Sequence, residues 1–132
     1  MKQAVIRQVK SISMQCDKVG NVLLAKFSAH GASDVRIVIP ATIVFWLLKH
    51  LPVNQDPTLR PPPAPSPILQ EDWNAPRAAS VQCKEFPGAL RMNFQAENMK
   101  QDLTVMLDRS NVELLRQILE AYRHDLIDLD AE

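Results

Sequence analysis

Eight of the ten prolines in this sequence fall between Pro52 and Pro76, including the run Pro61-Pro62-Pro63-Ala64-Pro65-Ser66-Pro67. Proline has no backbone donor and a fixed φ, so such a stretch enters neither a ladder nor a helix interior. It runs extended, as a semi-rigid connector. With only three glycines in the chain, stiffness is favoured over slack. The stretch at 52–78 therefore divides the sequence into residues 1–51 and 79–132. It serves either as a spacer or as a proline-motif ligand in its own right.

The 132 residues suit a single domain spanning 1–132, and a 46% apolar fraction is enough for a real core. The longest unbroken apolar run, Ile43 to Leu48, is six residues, against about twenty for a membrane span. Charge interrupts the N-terminal Met1 to Arg7 too early for a signal peptide. Two cysteines, Cys16 and Cys83, do not make a disulfide scaffold. These features lead us to expect a soluble, cytoplasmic protein with no membrane association.

The two parts resemble one another. Ser13-Met14-Gln15-Cys16 matches Ser80-Val81-Gln82-Cys83 at an offset of 67, which also places Leu23, Phe27 and Ala29 on Leu90, Phe94 and Ala96. After one extra loop residue, Asp34, Val44, Leu47 and Leu51 fall on Asp102, Val112, Leu115 and Leu119. An internal duplication follows. Each part reads as three strands and a helix, because apolar residues alternate with period two in three successive runs. The inward sets are Ile12, Met14 and Cys16; Leu23, Ala25, Phe27 and Ala29; and Val35, Ile37 and Ile39. Their counterparts are Val81 and Cys83; Leu90, Met92, Phe94 and Ala96; and Leu103, Val105 and Leu107. Ala4 to Val9 either adds an edge strand or extends the first. The expected fold is α+β: two βββα repeats in one pseudo-twofold domain, antiparallel sheets with the helices packed on one face.

The two helices differ in character. The second opens with Ser110-Asn111-Val112-Glu113, a capping-box pattern, and carries one apolar stripe from Val112 to Leu126. The first, about Pro40 to Leu51, is apolar around its whole circumference at Ile43 to Leu48. One sheet face cannot cover all sides of a helix, so the linker, Trp73 or a second copy of the chain must cover the rest. With Val22, Leu24 and Val38 outward on the strands, Phe45, Trp46 and Leu48 make the first part the stickier one. Either these residues lie under the linker, or they make a homodimer interface or a docking face for a protein partner.

Catalytic and metal signatures are missing from the sequence. There is no G-x-S-x-G, H-E-x-x-H or glycine-rich phosphate loop. His30, His50 and His124 are scattered, and the cysteines stand singly. No catalytic residue, metal or cofactor is assigned, and a non-enzymatic interaction or adaptor protein is expected. Cys16 and Cys83 read as two buried thiols or as a disulfide joining the repeats.

Charge is unevenly shared: residues 1–51 carry +5 and residues 52–132 carry −5. Arg7, Lys10, Lys26, Arg36 and Arg91 lie at or near outward strand positions and make a candidate nucleic-acid track. The stretch Gly20 to Phe27, then Val35 to Ile39, then the helix from Pro40, resembles the body of a PUR repeat. Strands closed by one helix and doubled in one chain are similar to PUR-repeat and Whirly single-stranded nucleic-acid binders. The resemblance implies single-stranded nucleic-acid binding along the sheet. Those families stack bases on exposed strand aromatics, whereas Phe27 and Phe94 fall in the inward register here.

Overall fold

A computed structural model describes residues 6–52, 62–97 and 102–129. Three strands, β1 (Ile6–Asp17), β2 (Val22–Ala29) and β3 (Val35–Pro40), lead into α1 (Ala41–His50). After the linker, which contains a 3-10 turn at Gln70–Asn74, come β4 (Ala78–Phe86), β5 (Ala89–Ala96), β6 (Leu103–Asp108) and α2 (Arg109–Tyr122), with a second 3-10 turn at Arg123–Asp125. The six strands form one mixed sheet in the order β3-β2-β1-β6-β5-β4. The fold is α+β.

The N-terminal segment from Ile6 continues into β1 as one strand of 12 residues. Its first part runs parallel to β6 (Gln8 opposite Met106), and beyond an irregularity between Val9 and Ser11 it pairs antiparallel with β2. β4 shows the same irregularity between Ala78 and Ser80. Ahead of it, Arg77 bridges Val38 of β3 in parallel, and the Val38 N–H donates to Pro76 O at 2.8 Å. The two ends of the strand order are thereby drawn together, so the sheet curls toward closure.

The ladders correct the sequence alignment in one place. β2–β3 and β5–β6 correspond as read, with Phe27 opposite Val35 and Phe94 opposite Leu103. β1 and β4 correspond at an offset of 69, with Asp17 opposite Val22 in one hairpin and Phe86 opposite Ala89 in the other. The hairpin loops explain the change: Lys18 to Asn21 is two residues longer than Pro87-Gly88. Proline followed by a glycine at φ 76° suits a two-residue turn of type II. Cys16 and Cys83 are therefore not at matching positions; both are free and half-buried.

One core fills the inner side of the sheet, where both helices pack. Phe27 and Phe94 meet there with ring centroids 6.0 Å apart and planes tilted by 39°, within the favourable range for aromatic pairs. Val44, Leu47 and Leu51 of the first half and Val112, Leu115 and Leu119 of the second are buried alongside them. The N-cap of α2 is Asp108, whose carboxylate accepts the Asn111 N–H at 2.9 Å, two residues before the Ser110 box. The buried Asn111 amide donates to Val9 O and Lys10 O, both at 3.3 Å, at the irregularity in β1.

The linker covers the opposite sheet face rather than α1. Ile68, Trp73 and Ala75 pack on Val22, Leu24 and Val38, which are 5%, 0% and 9% exposed. Of the two expectations for these three, a partner interface or a place under the linker, the structure has the second, so they are not on a partner interface. Full burial of such aliphatic side chains contributes about 1.5–3 kcal/mol each, an upper bound. β2 is consequently buried on both faces.

Candidate functional site

Among the described residues, Trp46 of α1 is one of several large apolar side chains left exposed, with Ile6, Val19, Leu69, Phe86, Ile127 and Leu129 elsewhere. Ala41, Ile43, Val44 and Leu47 face the core, Phe45 and Leu48 are half-buried, and Thr42, Trp46, Lys49 and His50 face outward. Positions three and four apart share a helical face, so Trp46 and His50 stack, with ring centroids at 4.2 Å and planes at 17°. The His50 Nδ1–H donates to Trp46 O at 2.7 Å, which fixes the imidazole against the indole. Trp46 is 38% exposed. The corresponding stretch of α2 is polar instead: Glu113 and Arg116 form a half-buried bidentate ion pair. Phe45 and Leu48 stand in their place on α1 under the one-residue-shifted alignment.

Of the six residues expected at a partner interface, Trp46 is exposed, while Phe45 and Leu48 are half-buried and pack in part on the core. α1 is not enclosed on all sides, but it touches α2 as well as the sheet, so more of it is covered than a single sheet face allows.

The five basic residues do not form one track. Lys26 is only 4% exposed; its ammonium donates to Pro67 O and to Asp72 Oδ2, each at 3.0 Å. Arg36 lies opposite Lys26 in the ladder, and its Nε contacts Asp72 Oδ1 at 2.5 Å. Like charges directly opposite on a sheet repel, and the Asp72 carboxylate between them removes that repulsion. Asp72 also accepts the Leu69 N–H at 2.8 Å. That backbone hydrogen bond, with the Lys26 hydrogen bond and the charges of Lys26 and Arg36, holds the carboxyl below its usual range against the opposing effect of burial. Lys26 and Arg36 thus anchor the linker. Arg7 donates to Ser33 O at 2.5 Å, Lys10 is exposed at the irregularity in β1, and Arg91 lies on the other half, 5.6 Å from the Phe86 ring centroid.

Asp72 was missed from sequence, and Trp73, expected as a cover for α1, packs on the opposite sheet face instead. The available signal was the outward pair Lys26 and Arg36, two cations facing each other with no acid on either strand of that hairpin, and an acidic Glu71-Asp72 beside Trp73 in the otherwise uncharged stretch 61–76. Trp73 Nε1 donates to Gln15 Oε1 at 2.9 Å, completing the seat of the linker.

Among the described residues no group of three or more His, Cys, Asp or Glu side chains is placed to hold a metal ion. No described helix is long and apolar enough to cross a membrane. The chain matches no protein-family model, no curated protein and no solved structure.

Proposed function

We propose that this is a non-enzymatic binding protein that self-associates through the outer side of α1, with Phe45, Trp46 and Leu48 at the centre of the contact. The observation that carries this reading is the contrast between helices. Where α2 carries the half-buried Glu113–Arg116 ion pair, α1 carries two half-buried apolar side chains and an exposed, stacked Trp46. Aromatic anchors of this kind dominate the energetics of protein interfaces. A two-fold contact brings the same patch from both copies together.

The same proposal treats the chain as a doubled βββα unit about a pseudo-twofold axis. The bridge between Gln8 and Met106 has its counterpart in the bridge between Arg77 and Val38 at the shifts given above. The His30 N–H donates to Gln8 O and the Glu97 N–H to Arg77 O, each at 3.0 Å, a second matching pair.

Sedimentation velocity at tens of micromolar protein tests the reading. The wild-type chain should sediment as a dimer, and Trp46→Glu as a monomer with an unchanged far-ultraviolet spectrum, because Trp46 is not part of the core. A wild-type monomer, or a Trp46→Glu chain that remains dimeric, refutes it.

A further inference from the structure

We propose that the outer face of β4 and β5 is a docking site for an extended acidic peptide segment, one of whose carboxylates sits between Lys84 and Arg91. Lys84 and Arg91 are directly opposite in the antiparallel ladder. Both cations lean on the same ring, at 5.3 and 5.6 Å from the centroid of Phe86. None of the ion pairs among the described residues engages either of them. A like-charged pair directly opposite destabilises a sheet, so this face carries an electrostatic deficit that an anion relieves. Beside it lies a cavity of about 330 Å³, whose lining includes Gln82, Cys83, Lys84, Arg91, Asn93 and Thr104.

The molecule has already met this problem on its other half. There the opposed pair is Lys26 and Arg36, and the carboxylate is Asp72, carried in by the linker. The linker is further held by its backbone: Ser13 Oγ donates to Ser66 O at 2.8 Å, Lys26 Nζ to Pro67 O at 3.0 Å and the Val38 N–H to Pro76 O at 2.8 Å. On the second half the position corresponding to Ser13 is Gln82, exposed and able to serve an incoming backbone in the same way. Asn93 and Thr104, which correspond to Lys26 and Arg36, satisfy each other and Asp102. The cationic pair is thus displaced by one strand pairing while remaining on the outer face.

The occupant is a peptide rather than a nucleic acid for two reasons. Phe86, the aromatic of this face, is engaged by both cations, so it does not offer a bare ring for base stacking. The chain as a whole has no net charge, which gives a polyanion little long-range attraction.

Fluorescence polarisation on the full chain at low salt tests the site with three labelled probes. These are the hexapeptide Ser-Ile-Glu-Asp-Ile-Ser, its Gln/Asn counterpart, and an oligothymidylate of matching length. The acidic peptide should bind and weaken as salt is added, with the amide counterpart at least about tenfold weaker. Lys84→Glu and Arg91→Glu should each abolish binding. Lys84→Glu should at the same time leave the melting temperature unchanged or raised, because a carboxylate then faces Arg91. Lys84→Gln supplies the test should the charge reversal fail to fold. Trp46→Glu should bind the peptide as wild type does, which separates this site from the contact proposed on α1. The proposal is overturned if the acidic peptide does not bind, if the amide counterpart binds equally, if the oligothymidylate binds as tightly, or if Lys84→Glu binds undiminished.

Discussion

Replacing Asp72 by Asn removes one charge from a buried three-membered cluster and leaves nearly everything else in place. Lys26 remains 4% exposed, with Pro67 O as its one fully retained partner. Arg36, whose side chain is 47% exposed, turns to water at little cost. Removing one partner of a buried pair costs about 3–5 kcal/mol; the amide still offers an oxygen to Lys26 or to the Leu69 N–H, which favours the lower end, about 3 kcal/mol. Against a total stability of about 5–15 kcal/mol, that loss is large. With a urea slope of about 1.5 kcal/mol/M, the unfolding midpoint should fall by about 2 M. The joint replacement Lys26→Met with Asp72→Leu should recover most of the loss, since apolar substitutes for a buried pair are close to neutral. The wild-type advantage over Asp72→Asn should also depend on pH with a definite sign. The folded carboxyl titrates below the 3.8 of an unperturbed aspartate, so the stabilisation is complete above about pH 5 and is lost as pH falls through the folded value. A midpoint shift equivalent to less than about 0.5 kcal/mol, or a wild-type advantage that grows on acidification, would refute the assignment of Asp72 as the anchor of the linker.

Other outcomes follow from the same geometry. Phe27→Ala should cost about 3–5 kcal/mol in chemical unfolding, because the ring is fully buried against Phe94; a cost under about 1 kcal/mol would mean that the two halves do not share one core. Asn111→Ala should cost about 1–3 kcal/mol by leaving the Val9 and Lys10 carbonyls without their donor, and amide exchange should rise around that irregularity in β1. Burial pushes the Cys83 thiol up to about 11, so about 0.1% is thiolate at pH 8 and alkylation by iodoacetamide should be slow until the chain is unfolded. Rapid labelling of Cys83 in the native chain would contradict its placement.

Much of the fold was legible because burial imposes a period. The alternation at Leu23-Ala25-Phe27 and Leu90-Met92-Phe94 gave the inner face correctly, since those residues are at most 2% exposed. The start of α2 was misread by two residues because Asp108 and Ser110 are both good caps. The helix takes the one at the end of β6, where Asp108 is opposite Ala89. The Ser-x-Gln-Cys match misled for a more general reason. A shift of two residues along a strand preserves which side chains point inward, so hydrophobic pattern alone cannot distinguish an offset of 67 from one of 69. The hairpin loop sets that register, and here its length differs between halves.

What periodicity could not supply was the partner of each outer face, because a covering segment arrives from a distant part of the chain. Val22, Leu24 and Val38 have the same outward phase as Ala89, Arg91 and Met106, yet only the first set lies beneath the linker. Their chemistry explains the choice. Three aliphatic side chains left in water would forgo several kcal/mol, whereas Arg91 and the neighbouring Lys84 are well solvated and lose little by exposure. A single connector can cover only one of the two faces, and it binds the one whose burial gains more. Its acidic residue is then matched to the cationic pair that this face happens to carry, Lys26 and Arg36. One outer face is thus occupied in holding the linker, while the other carries Lys84 and Arg91, which enter no ion pair among the described residues.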